Sequence, residues 1–402
     1  MRNHSSHARA MTGLACAKGF SLIELMIAMT LSLLISAAMA ILFQKVGQSN
    51  REQFKSAQQI ENGRYATELM ANDIRHAGYY GEFGALPLTS GFAALPDPCD
   101  TTLLADGDIT TNTINSPLAF YIQGYNAATL TTVLSIPTAC QTYIDNASLK
   151  AGSDMLVVRR LDTLPLIDLE ASPARTGATA TDGEKYVQAT ADVMSLQTGL
   201  GTAIDQTMTA TGAASVLTRK DYSQCWNNAA WVACPTTPTI SPTSPRPTIA
   251  APIRKLRTHV YYVSNCRRGT GANGKCAASD DTIPTLKRLE LTAAGGSTTM
   301  TVVPLVEGIE FMKLRYGIDS NADGTADSQD PTPAFADWQN VVQVDLRVIA
   351  RNVESTNNAT DPKSYDLGSG LTYTPSGTAA SYKRHLYSQQ IYITNIGGTR
   401  EK

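Results

Sequence analysis

Residues 20–43 read FSLIELMIAMTLSLLISAAMAILF, 24 residues with one formal charge, Glu24. A helix needs about 20 apolar residues to cross the hydrocarbon core of a bilayer, so this run is long enough to span one. The charge separates it from a plain anchor. An ionised side chain in the apolar zone costs about 2.5 kcal/mol or more and calls for a compensating partner. Downstream of Lys45 the pattern turns amphipathic. Phe54, Ala57, Ile60, Tyr65, Leu69 and Ile74 recur at helical spacings among Arg, Glu, Gln and Asn. Gly47 and Gly63 are the only breakers between Phe20 and Ala77, and no proline interrupts. One helix is therefore expected up to a C-cap at Gly78, its first half apolar (20–43) and its second half (44–78) carrying a head on its amphipathic face.

The 402 residues suffice for one large or two ordinary domains. Charged residues make up 17% and the net charge is -2, with no basic stripe of the kind nucleic acid selects. Residues 1–19 hold Arg2, Arg9 and Lys18 and no acid, which suits a cytoplasmic leader, with Met11 as an alternative start. Cys16 falls in this leader. The other six cysteines, Cys99, Cys140, Cys225, Cys234, Cys266 and Cys276, fit three disulfides in an oxidising compartment. Sequential pairing is favoured, because Cys225/Cys234 and Cys266/Cys276 each close a short loop; Cys99 then pairs with Cys140. A metal site is the weaker alternative, since no Cys-x-x-Cys occurs and no His lies near.

The join Lys18-Gly19-Phe20-Ser21-Leu22-Ile23-Glu24-Leu25 resembles the processing site of type IV pilins and type II secretion pseudopilins. That resemblance implies cleavage between Gly19 and Phe20 by a prepilin peptidase and N-methylation of Phe20. It also implies that Glu24 neutralises the α-amino group of a neighbouring subunit during filament assembly. A carboxylate facing an ammonium where water is scarce is attracted far more strongly than in bulk water. Glu61-Asn62-Gly63-Arg64-Tyr65-Ala66, followed by Asn72-Asp73-Ile74-Arg75-His76-Ala77-Gly78-Tyr79-Tyr80-Gly81, narrows the likeness. These segments are similar to the PilW family of minor pilins, relatives of the J-type pseudopilin. Membership implies an α+β, pilin-like fold, a long helix packed on an antiparallel β-sheet head with disulfide-bonded loops. It implies insertion in the inner membrane with the head periplasmic, then a place in the pilus, at its tip. The partners implied are other minor pilins, the major pilin, a large tip adhesin and the inner-membrane assembly platform. Pilus biogenesis, twitching motility and adhesion would follow. The alternatives are a J-type pseudopilin of type II secretion and a membrane-tethered periplasmic binding module.

From Tyr79 to the end (79–402) the chain reads as strand and loop. Expected strands are Leu118–Gly124, Asp154–Leu161, His259–Val263, Leu286–Leu291, Ile309–Gly317, Val341–Arg351 and Leu386–Thr394. The alternation of Val342 to Val348 predicts one buried and one wet face. Tyr261 to Leu291 reads as a long hairpin with Cys266 and Cys276 at its tip. Residues 235–252 form a Pro/Thr/Ser stretch expected to be an extended loop.

The sharpest chemical motif is Asp319-Ser320-Asn321-Ala322-Asp323-Gly324-Thr325-Ala326-Asp327-Ser328-Gln329-Asp330. Asp319, Asn321, Asp323, Thr325 (through its carbonyl), Asp327 and Asp330 stand at the spacing of an EF-hand calcium loop. The twelfth residue is Asp where that loop has Glu, and the flanks read as strands. Calcium in a structural role is the expectation, and an acidic turn between two strands the alternative. Gly269-Thr270-Gly271-Ala272-Asn273-Gly274-Lys275-Cys276 nearly spells a P-loop, but Cys276 replaces the magnesium-binding hydroxyl and no helix pattern follows. It is read as a hairpin tip. Trp226 and Trp231, inside the Cys225/Cys234 loop, suit a subunit contact and ordinary packing equally. His76, His259 and His385 are scattered, and no nucleophile–base pattern is present, so the chain is not expected to be an enzyme.

Overall fold

The computed structural model describes residues 21–83, 89–109, 113–165, 183–189, 194–199, 224–226, 231–233, 252–356 and 360–400. The chain divides into two units, residues 1–54 and 55–402. Helix α1 runs without a break from Leu22 to Arg75. In the first unit its side chains stand exposed, Leu22 at 76% and Phe43 at 76% among them. Its best window has a mean hydropathy of 2.4, apolar enough for a membrane span.

The second unit is the β-rich head. It begins with β1 (Thr89–Ser90), β2 (Gly107–Ile109), β3 (Thr113–Ile114) and β4 (Ile122–Tyr125). Then come β5 (Met155–Leu161), β6 (Lys185–Ala189) and β7 (Met194–Thr198), and a small hairpin of β8 (Gln224–Trp226) and β9 (Trp231–Ala233). The long strands follow: β10 (Ile253–Ser264), β11 (Thr285–Ala294), β12 (Ser297–Glu307) and β13 (Ile309–Ile318). Last are β14 (Ser328–Asp330), β15 (Val341–Arg351), the hairpin β16 (Tyr365–Gly368) and β17 (Leu371–Tyr373), β18 (Arg384–Tyr392) and helix α2 (Thr394–Arg400). One sheet has the order β12-β11-β10-β6-β7-β2. In it β10 is paired along one edge by β6 and then by β5, which carries β4. The second sheet has the order β14-β13-β15-β18. Every pairing in both is antiparallel. The fold is thus the α+β, pilin-like arrangement of a long apolar helix and an antiparallel head.

Both sheets and the end of α1 share one core. Ala66, Met70, Ala71 and Ile74 of the helix pack in a single apolar cluster with Leu156, Val158, Val260, Leu289, Val344, Leu346 and Val348. The buried helical stripe is Gln59, Gly63, Ala66, Thr67, Met70, Ala71, Asp73 and Ile74. This differs from the stripe expected from apolar spacing, since Ile60 and Tyr65 are each 55% exposed and Phe54 72%. Polar and small residues win the inner face because the sheets offer them partners. Gln59 Nε2 donates to Ala350 O at 2.9 Å, and Asn62 Nδ2 to Glu307 O at 3.0 Å.

Four other expectations are corrected. Pro117–Ala119 forms a 3-10 turn rather than strand, because Ser116-Pro117 starts a turn and Phe120 N bonds back to Pro117 O. The wet face assigned to Val342–Val348 is covered. Asp345 is only 3% exposed and pairs with Arg315 and Arg347, while Ile349 on the same face packs with Phe311, Tyr365 and Leu367 under the β16–β17 hairpin. Alternation sorts residues between faces but does not say what lies over each. Strand β12 has no counterpart among the expected strands; it is a Thr-rich outer strand bearing Pro304, which an edge tolerates because the missing N–H need not be paired. The last strand ends at Tyr392, and α2 follows despite Gly397 and Gly398, held by the buried Ile396 and Arg400.

At Gly63 the helix and the second sheet approach closely. A Cβ there would lie 2.1 Å from Tyr387 Cε2, and the Tyr387 hydroxyl donates to Ile60 O at 3.0 Å. Gly63→Ala is expected to destabilise the head by about 1–3 kcal/mol. In thermal melts of the full chain, Gly63→Ala/Tyr387→Ala should lose less than the two single variants together.

Candidate functional site

Among the places that carry polar chemistry are the start of α1, a buried cluster where α1 meets the first sheet, and the acidic loop after β13. Ser21 is the N-cap of α1 and Glu24 its third residue, the spacing of a capping box. The Ser21 backbone N–H donates to Glu24 Oε2 at 3.0 Å. Glu24 therefore has an occupation within its own chain, next to the favourable end of the helix dipole. The Gly19–Phe20 junction lies outside the described residues.

The buried cluster was not singled out from sequence. Asp73 sits on α1, 4% exposed. His259 Nδ1 donates to its Oδ2 at 2.7 Å and the Tyr261 hydroxyl to the same oxygen at 2.9 Å, both from β10. Arg160 Nε, from β5, donates to Oδ1 at 2.6 Å. Burial by itself would raise the Asp73 carboxyl. The charge and hydrogen bond of His259, followed by those of Arg160, outweigh it and hold the group well below the usual carboxylate range. His259, expected to be a surface or packing residue, is thus buried and hydrogen-bonded to a carboxylate. The only sequence signal was an acid on the inner helical stripe, and its partners lie far along the chain.

In the acidic loop, Asp319 Oδ1 accepts from Ala322 N at 2.7 Å, and Oδ2 from Gly324 N at 3.0 Å and Arg400 Nη1 at 3.2 Å. Gly324 has φ +89°, a conformation glycine adopts without strain. Asp323 Oδ1 accepts from Thr325 N at 2.8 Å, and Asp327 Oδ2 from Ser320 N at 2.8 Å. Asn321 Nδ2 reaches Asp323 Oδ2 at 3.1 Å and Asp327 Oδ1 at 3.3 Å. Asp319, Asn321, Asp323, Thr325 and Asp327 therefore share one turn, whereas Asp330 stands on β14 and accepts from Thr332 N at 2.8 Å. Burial pushes Asp319 up, but the Gly324 N–H and Arg400 bring it below its ordinary value; the Thr325 hydroxyl and N–H do the same for Asp323. Tyr316 and Trp338, on either side of the loop, meet edge to face with ring centroids 4.6 Å apart.

Two of the expected disulfides are formed, Cys99–Cys140 and Cys266–Cys276. Asp97 clips the first, its Oδ1 accepting from Cys99 N at 3.0 Å and its Oδ2 from Ala139 N at 2.6 Å. The Cys225–Cys234 pairing, the Trp226 and Trp231 side chains and residues 235–251 lie outside the described residues. Gly269–Lys275 closes on itself through Gly271 N to Lys275 O at 2.9 Å, a hairpin tip as expected.

Among families of known proteins, the model described as Type IV Pilus-assembly protein W matches residues 260–395, from β10 through β18 to the start of α2. The model described as Prokaryotic N-terminal methylation motif matches residues 14–40, which take in Gly19, Phe20 and Glu24. No curated protein and no solved structure matches the chain.

Asp73→Asn leaves the Arg160 guanidinium without this counter-charge and is expected to cost about 3 kcal/mol or more. The native carboxyl is depressed, so its contribution is full above the unfolded value near 4 and is lost as pH falls below that. Denaturant melts at about pH 7 and about pH 3 should show the gap between wild type and Asp73→Asn narrowing at the lower pH.

Proposed function

This chain belongs to the PilW family of type IV pilus-assembly proteins, and from that membership we propose that it is a minor pilin of the tip complex that primes pilus assembly. The observation that carries the proposal is the pairing of a methylation-motif helix with a head region of that family in one chain. The first unit exposes an apolar helical surface from Leu22 to Val46. Such a surface is stable only in lipid or against other apolar helices. In the proposed sequence the leader is removed after Gly19 and Phe20 becomes the methylated N-terminus. The helix then leaves the membrane for the filament, and the head, periplasmic before assembly, is displayed outside the cell. Glu24 exchanges its bond to its own Ser21 N–H for the ammonium of a neighbouring subunit. Other minor pilins, the major pilin and a tip adhesin are the partners of this scheme, and twitching motility and adhesion its consequences. The role is structural, with no catalytic step assigned to the chain.

N-terminal sequencing of the protein from sheared pili should begin at N-methyl-Phe20, and Glu24→Ala should abolish or strongly reduce its incorporation. A start upstream of Phe20, or unchanged incorporation of Glu24→Ala, contradicts the scheme.

We further propose that the 319–330 loop takes a calcium ion. Asp319, Asn321, Asp323 and Asp327 offer side-chain oxygens, Thr325 its carbonyl and Asp330 a carboxylate at the twelfth place. Support comes from the Asp319 carboxylate, which is held by N–H groups of its own turn and so is already oriented. Millimolar calcium should raise the melting temperature of the wild type and leave Asp323→Ala unchanged; an unshifted wild type refutes the site.

A further inference from the structure

The Cys266–Cys276 disulfide is unsymmetrical in its surroundings. Cys266 is buried, 1% exposed, while Cys276 is half-buried at the hairpin tip. Lys287, on β11 and also 1% exposed, directs its ammonium at the bond, Nζ donating to Cys266 Sγ at 3.5 Å. Ser264 Oγ lies 3.2 Å from Cys276 Sγ and 3.8 Å from Cys266 Sγ. A β-bulge falls at Leu286/Lys287, where β11 crosses from Lys287 opposite Pro304 to Leu286 opposite Val306. The two nearby acids that act on the ammonium are occupied in the loop itself. Asp280 accepts from Thr270 N and Ala277 N, and Asp281 from Arg267 N and Ile283 N.

A buried ammonium set against neutral sulfur is poorly compensated. It gains a full counter-charge only when that sulfur becomes a thiolate. We propose that Cys266–Cys276 is an exchange-active disulfide in which an external thiolate enters at Cys276 and Cys266 leaves as a thiolate held by Lys287. The attacking sulfur bonds to Cys276 Sγ as the Cys276–Cys266 bond breaks, and the electron pair goes to Cys266 Sγ. The second thiol of a dithiol reagent, as its thiolate, then displaces Cys276. The protein is left as a dithiol and the reagent as a disulfide. A thiol with a lowered pKa leaves faster, and a neighbouring lysine lowers it. Read backward, the same path forms the bond. An oxidising disulfide is captured by Cys276, and the Cys266 thiolate, held in place by Lys287, resolves the mixed species. The reagent class is therefore a small thiol or a protein dithiol, and Lys287 is a positioning and charge-stabilising residue. The second disulfide supplies an internal reference, since its sulfurs are flanked by the Asp97 carboxylate instead of an ammonium.

The test uses the full-length oxidised protein in detergent micelles, treated with dithiothreitol and quenched with iodoacetamide at intervals. Peptide mass spectrometry then follows each bond separately. Cys266–Cys276 should open before Cys99–Cys140. Lys287→Met should slow its opening by about tenfold and Lys287→Arg by much less, with the Cys99–Cys140 rate unchanged in both. Independently of any substitution, brief treatment of the wild type with glutathione should place the mixed disulfide on Cys276. An unchanged opening rate in folded Lys287→Met overturns the proposal, as does glutathione found on Cys266.

Discussion

Burying a carboxylate is unfavourable unless its charge is met, and the head of this protein is organised around meeting one. Asp73 lies on the inner face of α1, where His259 and Tyr261 from β10 and Arg160 from β5 converge on its two oxygens. β10 is also the strand that β11, β5 and β6 all pair with. The helix is therefore fastened to the strand at the centre of the first sheet, and the direction of that fastening is set by hydrogen bonds. Apolar packing of Met70 and Ile74 supplies area but would tolerate rotation of the helix; the Asp73 cluster fixes the turn at which it sits.

A second constraint comes from Gly63 and Tyr387. The absence of a side chain at Gly63 lets the ring of a β18 residue lie against the helix backbone. The two contacts lie almost three turns apart on α1, one to each sheet. Between them the buried stripe is Ala66, Thr67, Met70 and Ala71, while apolar Ile60 and Tyr65 are left on the outer surface.

Much of the local structure was legible from the chain alone. A long proline-free helix, the strand segments expected at 154–161, 309–317 and 341–351, and the Cys266–Cys276 pairing follow from periodicity, β-branched content and loop length, and Cys99–Cys140 follows by remainder. The second face of β15 was not legible, because the polar residues Gln343, Asp345 and Arg347 look solvated until Tyr365 and Leu367 are folded over that side. Nor was α2, whose two glycines argue against helix. It persists because Ile396 is buried and Arg400 binds Asp319 O, Asp319 Oδ2 and Gln339 O.

The sequence by itself determined the class of molecule. A 24-residue apolar run with Glu24 near its start is long enough to span a bilayer and calls for lipid or like helices around it. Only the tertiary structure decided which helical face turns inward. That choice rests on partners 87 to 188 residues away in the chain, whose bonds to Asp73 outweigh the apolar spacing of the helix. Local pattern records how a residue relates to its neighbours along the chain, whereas a buried charge is settled by groups that only folding brings near.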